Sequence, residues 1–270
     1  LWSVIKGEME SLIEKFPESP LAKKAVYLTG ANFQALALYP KAADYYETFA
    51  TKWPNEDGKN CTETEKSADA CPKAPDALQD AVFFRLGLGD DDKAVEDAKL
   101  YEKNFGKKSP RETSQVIYSL ASIWERQGHW KKVAEHYQSY LKSYGRQALA
   151  NEEIRANTQI GVAYWKLDKK ADAEKYFKAA TKLWTSGAPA AIEKSAGGDA
   201  EKATKMVAEG SQAVAQALWY LAEFEFAKFT KIEFPEIKGK PDMKKLNEGA
   251  QGPVGRRMEE KGKALADADG

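Results

Sequence analysis

The feature that most constrains this chain is a pattern that returns along it. Gly30, Ala121 and Gly161 each precede an aromatic residue by three positions: Phe33, Trp124 and Tyr164. Twelve positions after the same starting points stand short residues, Ala42, Val133 and Ala173, and sixteen after stand Tyr46, Tyr137 and Phe177. A weaker copy reads Val82, Gly89, Ala94 and Tyr101. Small residues and rings at this spacing suit two helices that cross closely and antiparallel. A bulky side chain at the small positions would drive the pair apart, and the rings fill the wedge to the next pair. Units of this kind cannot bury their apolar faces alone, so neighbours must stack.

The intervening sequence agrees. Breakers fall at Phe16-Pro17, Tyr39-Pro40, Trp53-Pro54, Ser109-Pro110, Gly128 and Phe234-Pro235, leaving amphipathic segments of helical length. Asn-Gly hairpin turns and sustained period-two runs of Val, Ile and Thr are missing, so the fold class is all-α. Equivalent sites lie 52, 39 and 40 residues apart, from Gly30 to Val82 to Ala121 to Gly161. A compact repeat of this type needs about 34 residues. The excess is expected in a polar insertion at 54–75 and in Gly/Pro-rich joints at 185–200 and 235–254. Residues 1–184 thus read as repeats. Residues 199–234, through Met206, Val214, Leu218, Leu221 and Phe224, read as a further pair with an extended first helix, and 235–270 as a Pro/Gly-broken linker and the start of a helix.

This pattern resembles the tetratricopeptide repeat. The resemblance implies a right-handed solenoid of antiparallel helix pairs, here with long inter-repeat insertions. The run Glu14-Lys15-Phe16-Pro17-Glu18-Ser19-Pro20-Leu21-Ala22, leading to Ala25 and Tyr27, resembles a repeat junction of bacterial envelope proteins. The segment from Tyr39 through Ala42, Tyr45, Tyr46 and Phe49 to Trp53-Pro54 continues it. Periplasmic tetratricopeptide proteins such as the Tol-Pal coordinator and the outer-membrane assembly lipoproteins are similar. The resemblance implies a periplasmic or outer-membrane-associated adaptor whose partners are components of an envelope complex.

Charge and motif content bear on the function class. Lys plus Arg and Asp plus Glu number 41 each, whereas a nucleic-acid surface needs a basic excess to replace counterions, so nucleic acid is not an expected partner. There is no apolar run of the roughly 18 residues that a membrane-spanning helix requires. The chain opens on Leu1-Trp2-Ser3-Val4-Ile5 and ends on a helix-prone stretch, and it reads as a segment of a longer protein whose targeting signal would lie outside it. Cys61 and Cys71 are the only cysteines and share the polar insertion, so a disulfide in an oxidising compartment is expected. His129 and His136 stand seven residues apart, not at a metal-binding helical spacing, and are expected at the surface or at a helix cap. Gly187-Ala188-Pro189 and Gly197-Gly198-Asp199 do not continue into a phosphate loop. Asp90, Asp91 and Asp92 are expected to favour the N-terminus of a helix starting near Lys93. No catalytic residue, metal or cofactor is expected, and function is expected on surfaces.

In a tetratricopeptide array the concave face is lined by first-helix residues pointing away from the second helix. Those residues here would be Tyr27, Ala31 and Gln34; Tyr118, Ser122, Glu125 and Arg126; and Thr158, Val162, Trp165 and Lys166. Tyr118 and Trp165 beside Arg126 and Lys166 would give aromatic anchors with basic neighbours, suited to a peptide or a partner helix. The alternatives are packing of the same rings between repeats, a broad scaffold without a dominant groove, and a non-catalytic arm of a longer enzyme.

Overall fold

The computed structural model describes residues 5–59, 61–64, 71–232 and 253–269. Among them the structure is helical apart from connections and one isolated antiparallel bridge, Asp57 to Lys73. The chain divides into two compact units, residues 1–148 and 149–270. The division falls inside the stretch 1–184 that reads in the sequence as continuous repeats.

In the first unit a π-helical turn, Ile5–Met9, leads into α1 (Glu10–Lys15). Three pairs follow: α2 (Pro20–Ala35) with α3 (Tyr39–Lys52), α4 (Ala74–Leu88) with α5 (Asp91–Phe105), and α6 (Pro110–Ser119) and α7 (Ala121–Gln127) with α8 (Trp130–Tyr144). The second unit holds α9 (Ala150–Lys166) paired with α10 (Lys170–Thr185), then α11 (Ala188–Ser195), α12 (Ala200–Thr230) and α13 (Pro253–Asp269).

All four repeats keep one register. Counted from Gly30, Val82, Ala121 and Gly161, the second helix starts nine residues on, at Tyr39, Asp91, Trp130 and Lys170. Seven residues on, the turn residue has positive φ in every case: Ala37 at 56°, Gly89 at 77°, Gly128 at 67° and Asp168 at 58°. The weak copy at Val82 is therefore a true repeat. Glycine takes this left-handed conformation freely, whereas Ala37 adopts it against its Cβ.

The close approach inferred from the small residues is present. A Cβ on Gly30 would lie 2.8 Å from two ring atoms of Tyr46, and one on Gly161 would lie 2.5 Å from the ring of Phe177. The second pair exchanges the volumes: Val82 occupies the small site and Ala98 the ring site, and both are fully buried. Between pairs, Phe84 fills the wedge, 5.0 Å from Tyr39 and 6.3 Å from Tyr46 between ring centroids.

Several local features depart from the sequence reading. Residues 200–230 form a single helix, α12, in place of a pair. Its N-cap Asp199 accepts from Lys202 N, and Gly210, which would stop a weaker helix, is buried in close packing. Leu218, expected on its apolar face, is exposed. The joint 185–200 contains α11, in which Pro189 sits in the first turn, where its missing N–H is no loss, and Ile192 is fully buried. Most of the joint expected at 235–254 lies outside the described residues. His136 is neither a surface nor a capping residue: its Nε2 lies 2.9 Å from the Ile117 carbonyl and its ring packs on Trp124. The break between α6 and α7 lies beside it, where the hydroxyls of Ser119 and Ser122 bond the carbonyls of Val116 and Ser119.

The described part of the 54–75 insertion is anchored to the repeats. Ala74 N donates to Glu56 O, and the Glu56 carboxylate pairs with Lys23 of α2. Cys61 and Cys71 are joined by a disulfide, with Cα atoms 5.7 Å apart. Gly58, at φ 76°, leaves room for it, since a Cβ there would stand 2.7 Å from Cys71 Sγ.

Candidate functional site

The residues expected to line a concave face are largely engaged in packing. Tyr27 stacks among Tyr46 and Phe49 of α3, at 5.7 and 5.3 Å. Gln34 accepts a hydrogen bond from Tyr46 Oη at 2.6 Å, and Glu125 accepts one from Tyr137 Oη at 2.8 Å. Both therefore face the paired helix and not away from it. Tyr118 meets Tyr137 and Tyr140 at 5.7 and 5.2 Å. Arg126 donates to Leu86 O at 2.8 Å and to Asp91 at 2.5 Å, tying α7 to the preceding pair. Asp91 also accepts from Gln127, so this carboxylate serves the neighbouring pair as well as the start of its own helix. Trp165 packs on Tyr220 and Phe224 of α12, at 5.0 and 5.1 Å, with Lys170 Nζ 3.3 Å above its ring. Thr158 is buried and donates to Ala213 O at 3.1 Å. Lys166 is exposed at the end of α9. The stripe that reads as a groove in the sequence is the seam on which helices dock.

An open surface lies beside that seam, within the second unit. A groove of about 520 Å³ runs between α9 and α12, lined by Arg155 and Gln159 on one side and Glu209, Gln212, Ala213 and Gln216 on the other. Two close contacts hold its walls in place. Thr158 bonds the α12 backbone at Ala213, and a Cβ on Gly210 would approach Trp184 and Ile192 to 3.1 and 3.3 Å. At one end, Asn151 Nδ2 donates to Glu209 Oε2 at 3.2 Å, while buried Asn151 Oδ1 meets no hydrogen-bond donor among the described residues. Further along, Gln159 Nε2 lies 3.5 Å from Gln216 Oε1.

Chemically the groove offers carboxamides, each with donors and an acceptor on one short arm, as a peptide backbone does. Arg155 and Glu209 add one charge of each sign. Among the described residues, no group of three or more His, Cys, Asp or Glu side chains could hold a metal ion, and no helix is long and apolar enough to cross a membrane. The groove residues escaped the sequence reading because the register of 199–232 was not legible. The available signal was the four-residue spacing of Arg155 with Gln159 and of Gln212 with Gln216, which puts each couple on one helix face.

A second polar feature joins the first two pairs of the first unit. Arg85 on α4 is 2% exposed and pairs with Asp97 of α5, with Asp44 of α3 at 3.0 Å and with Glu47 of α3 at 2.6 Å. Lys93 reaches Asp44 at 3.4 Å. In the other three repeats the positions of Arg85 and Asp97 hold ring pairs: Phe33 with Tyr45 at 5.6 Å, Trp124 with His136 at 4.8 Å, and Tyr164 with Tyr176 at 5.7 Å. Burial pushes the Asp97 carboxyl up to about 7 against the opposing pull of Arg85. Burial also pushes the His136 imidazole below its ordinary value.

No known protein family matches the chain, and no curated protein matches it. Among solved structures it is similar to the crystal structure of a Rap protein complexed with competence and sporulation factor. That likeness covers 99% of this chain and 71% of that one, at 17% identity and a TM-score of 0.37. A likeness this distant says nothing of what the chain binds, and the repeat architecture stands on the register and contacts above.

Proposed function

We propose that this is a non-catalytic interaction protein that holds an extended segment of a partner along the α9–α12 groove, as an adaptor in a bacterial cell-envelope complex. The observation that carries this reading is the groove itself, open between α9 and α12 and lined by exposed Gln212 and Gln216 and half-buried Gln159, with one cation and one carboxylate. Side chains of that kind bond a peptide backbone, while Arg155 and Glu209 discriminate among sequences by charge, which suits an adaptor. The envelope setting is supported by the Cys61–Cys71 disulfide in a surface insertion, a bond that persists in oxidising compartments, and by the likeness of residues 14–27 to envelope repeat junctions.

Selection from a random peptide library against the intact chain tests the reading. The protein should enrich peptides, and the variant Arg155→Ala/Gln159→Ala/Gln216→Ala should bind them weaker by at least ~2 kcal/mol, the level of an interface hot spot. Those three side chains are not in the packed core, so the variant keeps its fold. Enrichment that survives the triple substitution unchanged would place binding elsewhere and overturn the groove assignment. Trp165→Ala and Arg126→Ala would not distinguish the readings, because both residues hold helices together.

A further inference from the structure

We infer that the buried ion cluster joining the first two helix pairs is an acid-sensitive junction, tightened when Asp97 takes up a proton and loosened when it ionises. The argument starts from charge. Arg85 and Lys93 supply two cations, whereas Asp44, Glu47, Asp97 and Asp90, which lies 4.0 Å from Lys93, supply four carboxylates, so the fully ionised cluster carries an excess of two negative charges. Glu96, next along α5, adds to the repulsion. From α7, Arg126 brings no relief, because Asp91 neutralises it.

Exposure decides which carboxylate neutralises first. The side chains of Asp44 and Glu47 are 59% and 42% exposed and keep their water, while Asp97 is 2% exposed and loses it. An ionised group without water is the one that neutralises most readily. The upward push on its carboxyl, with burial as the largest cause, has the same direction.

The consequence for the fold follows from geometry. Arg85 stands between α5 of its own pair and α3 of the preceding one. With Asp97 neutral, the guanidinium charge is left to Asp44 and Glu47, so the link between pairs gains at the expense of the link within the pair. With Asp97 ionised, one of the two excess charges is buried at the junction. The other three repeats place ring pairs at these positions, so the buried carboxyl among them is that of the second repeat, although the His136 ring of the third also titrates.

The sign is that of a carboxyl raised in the folded state. The stabilisation it gives is complete below the unfolded value, near 4, and is lost as pH rises through about 7. One linked proton changes the unfolding equilibrium constant by up to about tenfold per pH unit across that window.

Two measurements on the intact chain test this. In a carbon-13 carboxyl NMR titration, Asp97 should show a midpoint near 7, and a midpoint below 4 would overturn the inference. In urea unfolding, the native chain should become more stable from pH 8 to pH 6, and Asp97→Asn should remove that slope. A slope retained in Asp97→Asn would also overturn it. Should Asp97→Asn not fold, the titration of the native chain decides alone.

Discussion

Gly30→Ala is the sharpest test of how the helix pairs are built. The added Cβ would stand 2.8 Å from Cδ1 and Cε1 of Tyr46 and 3.4 Å from Tyr45 Cβ, so something must move. Tyr46 has little freedom to yield. It is 3% exposed, its hydroxyl is bonded to Gln34 at 2.6 Å, and its ring is flanked by Tyr27 and Phe84. Overpacking of this kind costs roughly 1–3 kcal/mol, and a restrained ring belongs at the upper end. Replacing glycine inside a helix returns about 1 kcal/mol through propensity. The net expectation is a loss of about 2 kcal/mol. Gly87→Ala is the control in the same unit: it lies in the last turn of α4 with nothing within 4 Å of its Cβ, and it should gain up to ~1 kcal/mol. Urea unfolding read by tyrosine and tryptophan fluorescence measures both. In Gly30→Ala/Tyr46→Leu the penalties should fall short of their sum by at least ~1 kcal/mol, because the second change removes the obstacle. If Gly30→Ala stabilises the chain as Gly87→Ala does, the close-approach account of the repeat is wrong.

Tyr101→Phe should stabilise the first unit by about 1 kcal/mol in the same assay, since the buried Tyr101 hydroxyl has no hydrogen-bond partner among the described residues. Ala37→Gly should gain about 1 kcal/mol by relieving a left-handed alanine, while Gly89→Ala should lose a similar amount. Thiol counting on unreduced, denatured protein should find no free cysteine, and Cys61→Ser/Cys71→Ser should lower stability by roughly 2–3 kcal/mol. Two titratable thiols would remove the support for an oxidising compartment.

The repeat was legible because its requirement is local and recurrent. Gly30, Ala121 and Gly161 are small for one reason, and the rings at Tyr46, Tyr137 and Phe177 answer them at a constant distance. The degenerate copy was harder to read, because Val82 and Ala98 exchange the large and small partners and Arg85 with Asp97 replaces a ring pair by an ion pair. Burial of both positions and pairing across the two helices are kept while residue type is not. The candidate site was less legible still. Helical periodicity gives the stripes of a helix, but which stripe docks depends on the helix that follows, and α12 has no repeat signature to set its register. Trp165 shows the effect: the sequence leaves it open between a ligand anchor and a packing ring, and the structure sets it against Tyr220 and Phe224. Pro189 shows a different ambiguity, since a proline that ends one helix is equally suited to begin another.

The most direct test of the proposed function is photo-crosslinking in native cells, with a photoreactive residue at Gln159 or Gln216 and a control at exposed Lys202 near the start of α12. The account predicts crosslinks from the two groove positions to the same envelope proteins, mapping to extended segments, with none from Lys202. Crosslinks to cytosolic proteins, or equal crosslinking from all three positions, would contradict it.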